Sequence, residues 1–400
     1  MTERFEFPFK ENYAEIDGVR MHYVDEGAGP PIVMVHGQPT WSYLYRKMIP
    51  PLVAAGYRCV APDLMGFGLS DKPTNEAAYT LRRHVELVTG LVEHLELKGI
   101  TTVGQDWGGP IVLRYAIDHQ DNVQALVILN TLVRITAIPA FFKVLFKAVL
   151  GSGGFSSFLS KRLDLFRLMM FSGPKLGFSR PVDKRAMAQY RMPHPTPDTR
   201  SGIAAFPKMI PTDDSHPNAR YISEIEETLR RWDIPVLVMF SDKDRVFSLQ
   251  EGRRIAAMVP NGRFHAVNNA GHFLQEDAGE EIAERMVRFL AEEAGVAAAQ
   301  DLPRSRSAAD EAGVGEVWER IVQHAGQTFS TKRGVEFTYT VSGASLVTSR
   351  ADSPISRGQF ARALELWPAD GPGALGGSVG GRTYVWALLD DRRILGGAAE

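Results

Sequence analysis

The stretch Ile100-Thr101-Thr102-Val103-Gly104-Gln105-Asp106-Trp107-Gly108-Gly109, continued by Pro110-Ile111-Val112-Leu113-Arg114-Tyr115-Ala116-Ile117, decides how the rest of the chain is read. Its first residues are β-branched and apolar, the composition of a buried strand, and those after the glycines carry apolar side chains at helical spacing. Asp106 therefore falls at a strand-to-helix junction. Gly104 and Gly108, two positions to either side, let the backbone fold back sharply without Cβ clashes. The pattern is that of a nucleophile elbow with an aspartate at its tip. For the pentapeptide taken alone, an ordinary Asp-containing turn is the competing reading.

The aspartate sets the chemistry. A serine must lose its proton before it attacks, whereas a carboxylate is ionised at neutral pH and attacks unaided. Such a nucleophile suits an electrophilic sp³ carbon bearing a leaving group, and the product is an alkyl ester on the protein. Alkyl halides and epoxides are substrates of that kind.

Working outward, residues 14–16, 20–24 and 31–35 read as strands, the first two flanking Asp17-Gly18 as an opening hairpin. The third runs into His36-Gly37-Gln38-Pro39, a loop expected to bring the Gln38 N–H near the Asp106 carboxyl as one oxyanion donor. His36 is read as a structural histidine that ties this loop down. Residues 57–62 form another strand, 79–95 an amphipathic helix burying Leu81, Val85, Val88, Leu91, Val92 and Leu95, and 125–130 a further strand. Strands alternating with helices imply a mostly parallel sheet covered on both faces. With the elbow, this is an α/β-hydrolase fold.

From about residue 133 to 215 the strand rhythm stops, and the segment reads as an all-helical cap over the strand ends. Phe141, Phe142, Phe146, Phe155, Phe158, Phe166, Met169, Met170 and Phe171 suit an apolar roof or, one by one, ordinary helix core. Strands return at 234–240 and 262–267. The first leads into Ser241-Asp242-Lys243-Asp244, the second into Gly271-His272-Phe273, and a helix is expected over 280–292. Nucleophile, acid and histidine thus follow in the order this fold uses.

The segments His36-Gly37-Gln38-Pro39-Thr40-Trp41-Ser42-Tyr43-Leu44-Tyr45-Arg46, Gly104-Gln105-Asp106-Trp107-Gly108-Gly109 and Gly271-His272-Phe273 resemble those of the haloalkane dehalogenases, in collinear order over about residues 10 to 293. The resemblance implies displacement of halide by Asp106 and hydrolysis of the ester by a water that His272 activates. Asp244, matching the family position better than Asp242, would orient the histidine. Asn130 stands where another branch of the family keeps its acid.

The resemblance also implies a halide site built on the Trp107 indole. The family's second donor is a cap tryptophan or an Asn in His-Gly-Asn-Pro; this chain has no tryptophan between Trp107 and Trp232, and Gln38 replaces the Asn. Two other readings remain. An epoxide hydrolase would want a pair of cap tyrosines, whereas the cap offers only Tyr190, with Tyr221 just beyond its edge, and a non-catalytic ligand receptor would tolerate loss of triad members, all of which are present here.

The chain has 400 residues, 44% hydrophobic and 23% charged, with a net charge of -2, which offers no basic surplus for nucleic acid or an anionic membrane. A single cysteine, Cys59, precludes an internal disulfide and points to a reducing, cytoplasmic setting. No stretch reaches the ~18 apolar residues of a membrane span, and the N-terminus lacks a signal-peptide core. Neither a cofactor motif nor metal-ligand spacing stands out; the expected partners are a small apolar halogenated substrate and water.

We expect a hydrolase core over 1–132 and 216–293, the cap over 133–215, an Ala- and Gly-rich linker over 294–313, and a small α+β module of unknown family over 314–400. In that module 314–323 reads as a helix, 335–341 as one strand, 356–366 as a helix, and 383–389 as a helix or a strand. Its basic residues Lys332, Arg333, Arg350, Arg357 and Arg362 read as solvated surface. The module is either a docking unit for an unknown partner or a fusion unrelated to the hydrolase.

Overall fold

A computed structural model of the chain describes residues 4–134, 161–172, 176–211, 215–296, 298, 308–332, 334–343, 345–365, 372 and 381–395. Strands β1 (Asn12–Ile16) and β2 (Val19–Glu26) form the expected antiparallel hairpin about Asp17 and Gly18, which take φ of 47° and 74°. Positive φ at both turn residues matches the twist of the flanking strands, and Asp-Gly tolerates it best.

The hairpin is the antiparallel edge of an eight-stranded sheet ordered β1-β2-β4-β3-β5-β6-β7-β8. From β4 onward the neighbours run parallel: β3 (Pro31–Val35), β4 (Arg58–Pro62), β5 (Ile100–Gln105), β6 (Val123–Leu129), β7 (Val236–Ser241) and β8 (Gly262–Val267). Every residue of β5 and β7 is buried, as a sheet covered on both faces requires. Helix α1 (Ile49–Ala54) precedes β4. Helix α2 (Leu81–His94) starts where the Thr80 side chain accepts the Arg83 N–H, and it buries the predicted apolar face except Leu95, which caps its end. Helix α3 (Gly108–Asp118) follows the elbow.

Strand order reverses between β3 and β5, which are paired with Val35 opposite Gly104. At such a switch point the loops leaving the two strands diverge and open a crevice. One of these loops carries Gln38 and the other Asp106.

Between β6 and β7 the described residues hold helices and no strand: α4 (Leu165–Ser172), α5 (Lys184–Arg191), α6 (Ser201–Ala205) and α7 (Pro217–Leu229). Of the expected roof, Met170 and Phe171 are buried, while Phe141, Phe142, Phe146, Phe155 and Phe158 lie outside the described residues. Hydrogen bonds from Trp41 Nε1 to the Gln189 carbonyl and from Tyr190 to Glu276 tie the cap to the core.

Helix α8 (Leu249–Met258) is capped by Ser248. The helix expected over 280–292 begins earlier, as α9 (Leu274–Arg288), breaks at Ala278 (φ −144°, ψ 34°) and ends in a wider turn at Phe289–Glu293. The early turn forms because the Asp277 carboxylate reaches back to the N–H groups of Gly271, Ser179 and Arg180, anchoring it to its surroundings.

The chain separates into two compact units, Met1–Leu302 and Pro303–Glu400. The stretch expected to be a linker is shorter than 294–313 at both ends. Val296 is buried and its carbonyl accepts the Tyr57 hydroxyl, while α10 (Ala308–Gln323) begins well before 314. The alanines that suggested flexibility are the best helix formers, and there they extend the helix.

The strand expected over 335–341 is two strands in two sheets. β10 (Glu336–Phe337) pairs with β9 (Phe329–Ser330), and β11 (Tyr339–Ser342) pairs with β12 (Ser345–Thr348), which pairs with β13 (Ala351–Ser356). The chain changes sheets at Thr338, whose N–H donates to the Ser349 hydroxyl and whose carbonyl accepts the Ser349 N–H. Helices α11 (Arg357–Glu365), α12 (Arg382–Leu389) and α13 (Arg392–Leu395) complete this unit, so 383–389 is helical. Val317, Trp318, Phe329, Tyr339, Phe360 and Trp386 belong to its own core. No described helix in either unit is long and apolar enough to cross a membrane.

Candidate active site

Asp106 takes φ of 51°, the left-handed region that costs an ordinary residue about 1–2 kcal/mol. Three contacts hold it there. Its N–H donates to the Asn130 carbonyl at 3.0 Å, and its own carbonyl accepts from the Gly109 N–H at 3.1 Å and the Thr131 hydroxyl at 2.5 Å. The glycines around it admit close neighbours: a Cβ at Gly108 would overlap the Val35 carbonyl, and one at Gly37 would overlap the Asp106 carboxyl. With the two loops so close, the Gln38 N–H donates to Asp106 Oδ1 at 2.8 Å.

The other oxygen faces the histidine. His272 Nε2 is 3.6 Å from Asp106 Oδ2, and His272 Nδ1 is 3.0 Å from Asp244 Oδ2. Asp244 is buried with its second oxygen accepting the Val246 N–H at 2.7 Å. Asp242 instead pairs with Lys243 at 3.0 Å and accepts the Ala270 N–H at 3.4 Å. Burial of His272 disfavours its cation, but the Asp244 and Asp106 carboxylates outweigh that and push its pKa up to about 10.

Asn130 has a role the sequence did not announce. Its amide donates to Ser241 Oγ and to the carbonyls of Gly271 and His272, and its Oδ1 accepts the Ser241 N–H. It thereby clamps the histidine loop to the ends of β6 and β7. Asp277 holds Gly271 from the other side. His36 is buried, accepts the Leu64 N–H on Nε2 and so donates from Nδ1 to the Gly37 carbonyl. Burial holds it neutral, in keeping with a structural role.

The Trp107 indole is buried, edge-on to Phe206 at 5.9 Å. The Gln38 side chain points to the cap, where Nε2 donates to the Ile203 carbonyl at 2.6 Å; among the described residues its second amide proton has no acceptor. Neither tyrosine considered for epoxide protonation faces Asp106. Tyr190 donates to Glu276 Oε2 at 2.6 Å inside a buried cluster with Arg46. Tyr221 lies against α3 under the Arg114 guanidinium, 4.5 Å from its ring. Sequence reading passed over Gln105, whose amide lies 3.2 Å from His272 Nε2; its place beside the nucleophile was the available signal.

Residues 30–279 match the family model described as alpha/beta hydrolase fold. The chain is 40% identical over 294 residues to a haloalkane dehalogenase of Mycobacterium marinum, covering 71% of this chain and 94% of that protein. It is 41% identical over 291 residues to haloalkane dehalogenase 1 of Mycobacterium tuberculosis, covering 67% and 92%. Among solved structures, haloalkane dehalogenase DpaA from Paraglaciecola agarilytica superposes with a TM-score of 0.60 at 32% identity, covering 70% of this chain and 92% of that one. DatA from Agrobacterium tumefaciens gives 0.62 at 28% identity, covering 70% and 96%. An Asp-tipped elbow, a histidine within reach of it and relatives of this likeness lead to one conclusion: the chain belongs to the α/β-hydrolase fold family and, within it, to the haloalkane dehalogenases.

Proposed function

We propose that this protein hydrolyses the carbon–halogen bond of small apolar haloalkanes, releasing alcohol, halide and a proton. The observation that carries this reading is the division of labour on one carboxylate: Oδ1 of Asp106 is held by the Gln38 N–H, while Oδ2 faces His272. Oδ2, which accepts no backbone N–H among the described residues, attacks the carbon; a C–O bond forms, the C–X bond breaks, and the halide leaves with both electrons. The Trp107 indole N–H and the second Gln38 amide proton are the donors we assign to the departing halide.

Ester formation removes the Asp106 charge, one of the two charges that keep His272 protonated. Its pKa falls, the imidazole releases its proton to solvent as the proton of the overall reaction, and it becomes the base the second step needs. A water in the gap beside Oδ2 loses a proton to Nε2 and attacks the Asp106 carboxyl carbon. The negative charge develops on Oδ1, beneath the Gln38 N–H, and collapse expels the alcohol with the proton from His272. Asp244 holds the imidazole in register and stabilises its cation.

An epoxide hydrolase would need an acid over the substrate, and the cap tyrosine Tyr190 is committed to Glu276. We place the reaction in the cytoplasm because the chain's single cysteine, Cys59, is free and buried. Halide release from a panel of chloro- and bromoalkanes, run beside styrene oxide hydrolysis, tests the reading. Halide release that is lost in Asp106→Ala supports it, and epoxide turnover without halide release refutes it.

A further inference from the structure

Gln105 ends β5 immediately before the nucleophile and is fully buried. Its amide Nε2 donates to the His272 carbonyl oxygen at 3.2 Å and lies 3.2 Å from His272 Nε2. Its Oε1 is buried with no hydrogen-bond partner among the described residues. The opposite amide orientation would set Oε1 against the same carbonyl, two acceptors with no proton between them. The amide N–H therefore faces Nε2, and Nε2 can accept it only from an imidazole whose proton sits on Nδ1. Nδ1 is the nitrogen that faces Asp244.

We propose that Gln105 is a positioning residue for the second half-reaction: it favours His272 as the neutral, Nδ1-protonated base while the alkyl ester is discharged. The inference rests on the function proposed above and assigns a residue to its second step. The charged groups facing the imidazole are Asp106 from the elbow and Asp244 from the loop after β7; Phe247 and Phe273 pack against the ring without charge. Both carboxylates favour the cation, and in the free protein they prevail over the amide. Once Asp106 is esterified, Asp244 alone opposes burial and the Gln105 N–H, and the balance moves toward the base.

A titration that needs no turnover tests this. In full-length Asp106→Asn protein, whose residue 106 is uncharged as the ester is, the His272 imidazole is followed by NMR with and without Gln105→Met. We expect its pKa to rise by about one pH unit when the amide is removed, the value of one ordinary hydrogen bond. An unchanged or lower pKa overturns the proposal. Gln105→Glu in the same background is the second variant: a carboxylate there favours the cation, so the rise is larger, and no rise overturns the proposal. Because these measurements require no substrate, their failure is distinct from a failure to release halide. In turnover, Gln105→Met moves the acid limb of kcat upward by the same interval and leaves the halide burst within about twofold. A uniform loss at every pH with an unmoved limb marks a merely structural residue and overturns the proposal.

Discussion

His272 Nε2 stands 3.6 Å from Asp106 Oδ2, within electrostatic reach and beyond a good direct hydrogen bond. The separation suits a histidine that serves a water beside the carboxylate, since Asp106 needs no base to attack. His272→Phe is therefore expected to form the ester and not discharge it. Rapid-quench measurement should show about one halide per active site and steady-state turnover reduced by a factor on the order of 10³. Mass spectrometry should find the alkyl group on the peptide containing Asp106; an unmodified peptide after the burst contradicts the mechanism.

The two acids near the end of β7 separate cleanly by substitution. Asp244→Asn removes the partner of His272 Nδ1 and should lower kcat by a factor on the order of 10³ to 10⁴, with ester accumulating. Asp242→Asn alters a half-buried pair with Lys243 and should leave kcat within about twofold. Equal losses in the two variants would reject Asp244 as the orienting acid.

Between the histidine loop and the cap lies a buried charge cluster that governs stability more than chemistry. Glu276 accepts from Arg46 at 2.6 and 2.9 Å, from Lys47 at 2.8 Å and from Tyr190 at 2.6 Å. Burial favours its neutral form, but the Arg46 and Lys47 charges hold its pKa down to about 2. Glu276→Ala leaves the Arg46 guanidinium buried without this partner and should cost about 3–5 kcal/mol in denaturant unfolding. Because the folded pKa is depressed, the stability Glu276 contributes is present above the ordinary carboxylate range and is lost as pH falls from about 4.5 toward 2. The variant should lack that part of the acid sensitivity, and identical acid profiles would contradict the assignment.

The opposite sign holds for His272. Its folded pKa, about 10, lies above the unfolded value of 6.5, so its stabilising contribution is complete below pH 6.5 and is lost as pH rises through 10. The wild-type melting temperature should fall more steeply between pH 7 and pH 10 than that of His272→Phe, by the equivalent of roughly 3–4 kcal/mol. Parallel curves would show that the two carboxylates do not hold the imidazole protonated.

Much of this protein is legible in its residues taken in order. The elbow could be read because its determinants are local: a β-branched run, glycines at 104 and 108 and a helical period after them are short-range steric and burial signals. The same holds for the hairpin at Asp17-Gly18, for α2 and for the succession of nucleophile, acid and histidine. Local signals misled where a contact distant in sequence took over. Asp277 pulled α9 back to begin at Leu274, and Ser349 turned an unbroken alternation at 335–341 into strands of two sheets.

Side-chain direction was beyond the reach of sequence, because it depends on partners brought together only when the sheet closes. Local pattern did not separate Asp244 from Asp242, two positions apart; the family resemblance favoured Asp244, and the path of the loop carries it to an imidazole 28 residues away. Tyr190 could be a proton donor to substrate on paper, and the approach of Glu276 from 86 residues away commits it to the protein instead. The amides of Gln38 and Gln105 follow the same rule: the chain placed them beside the elbow, and only packing against Ile203 and His272 decided where each would donate.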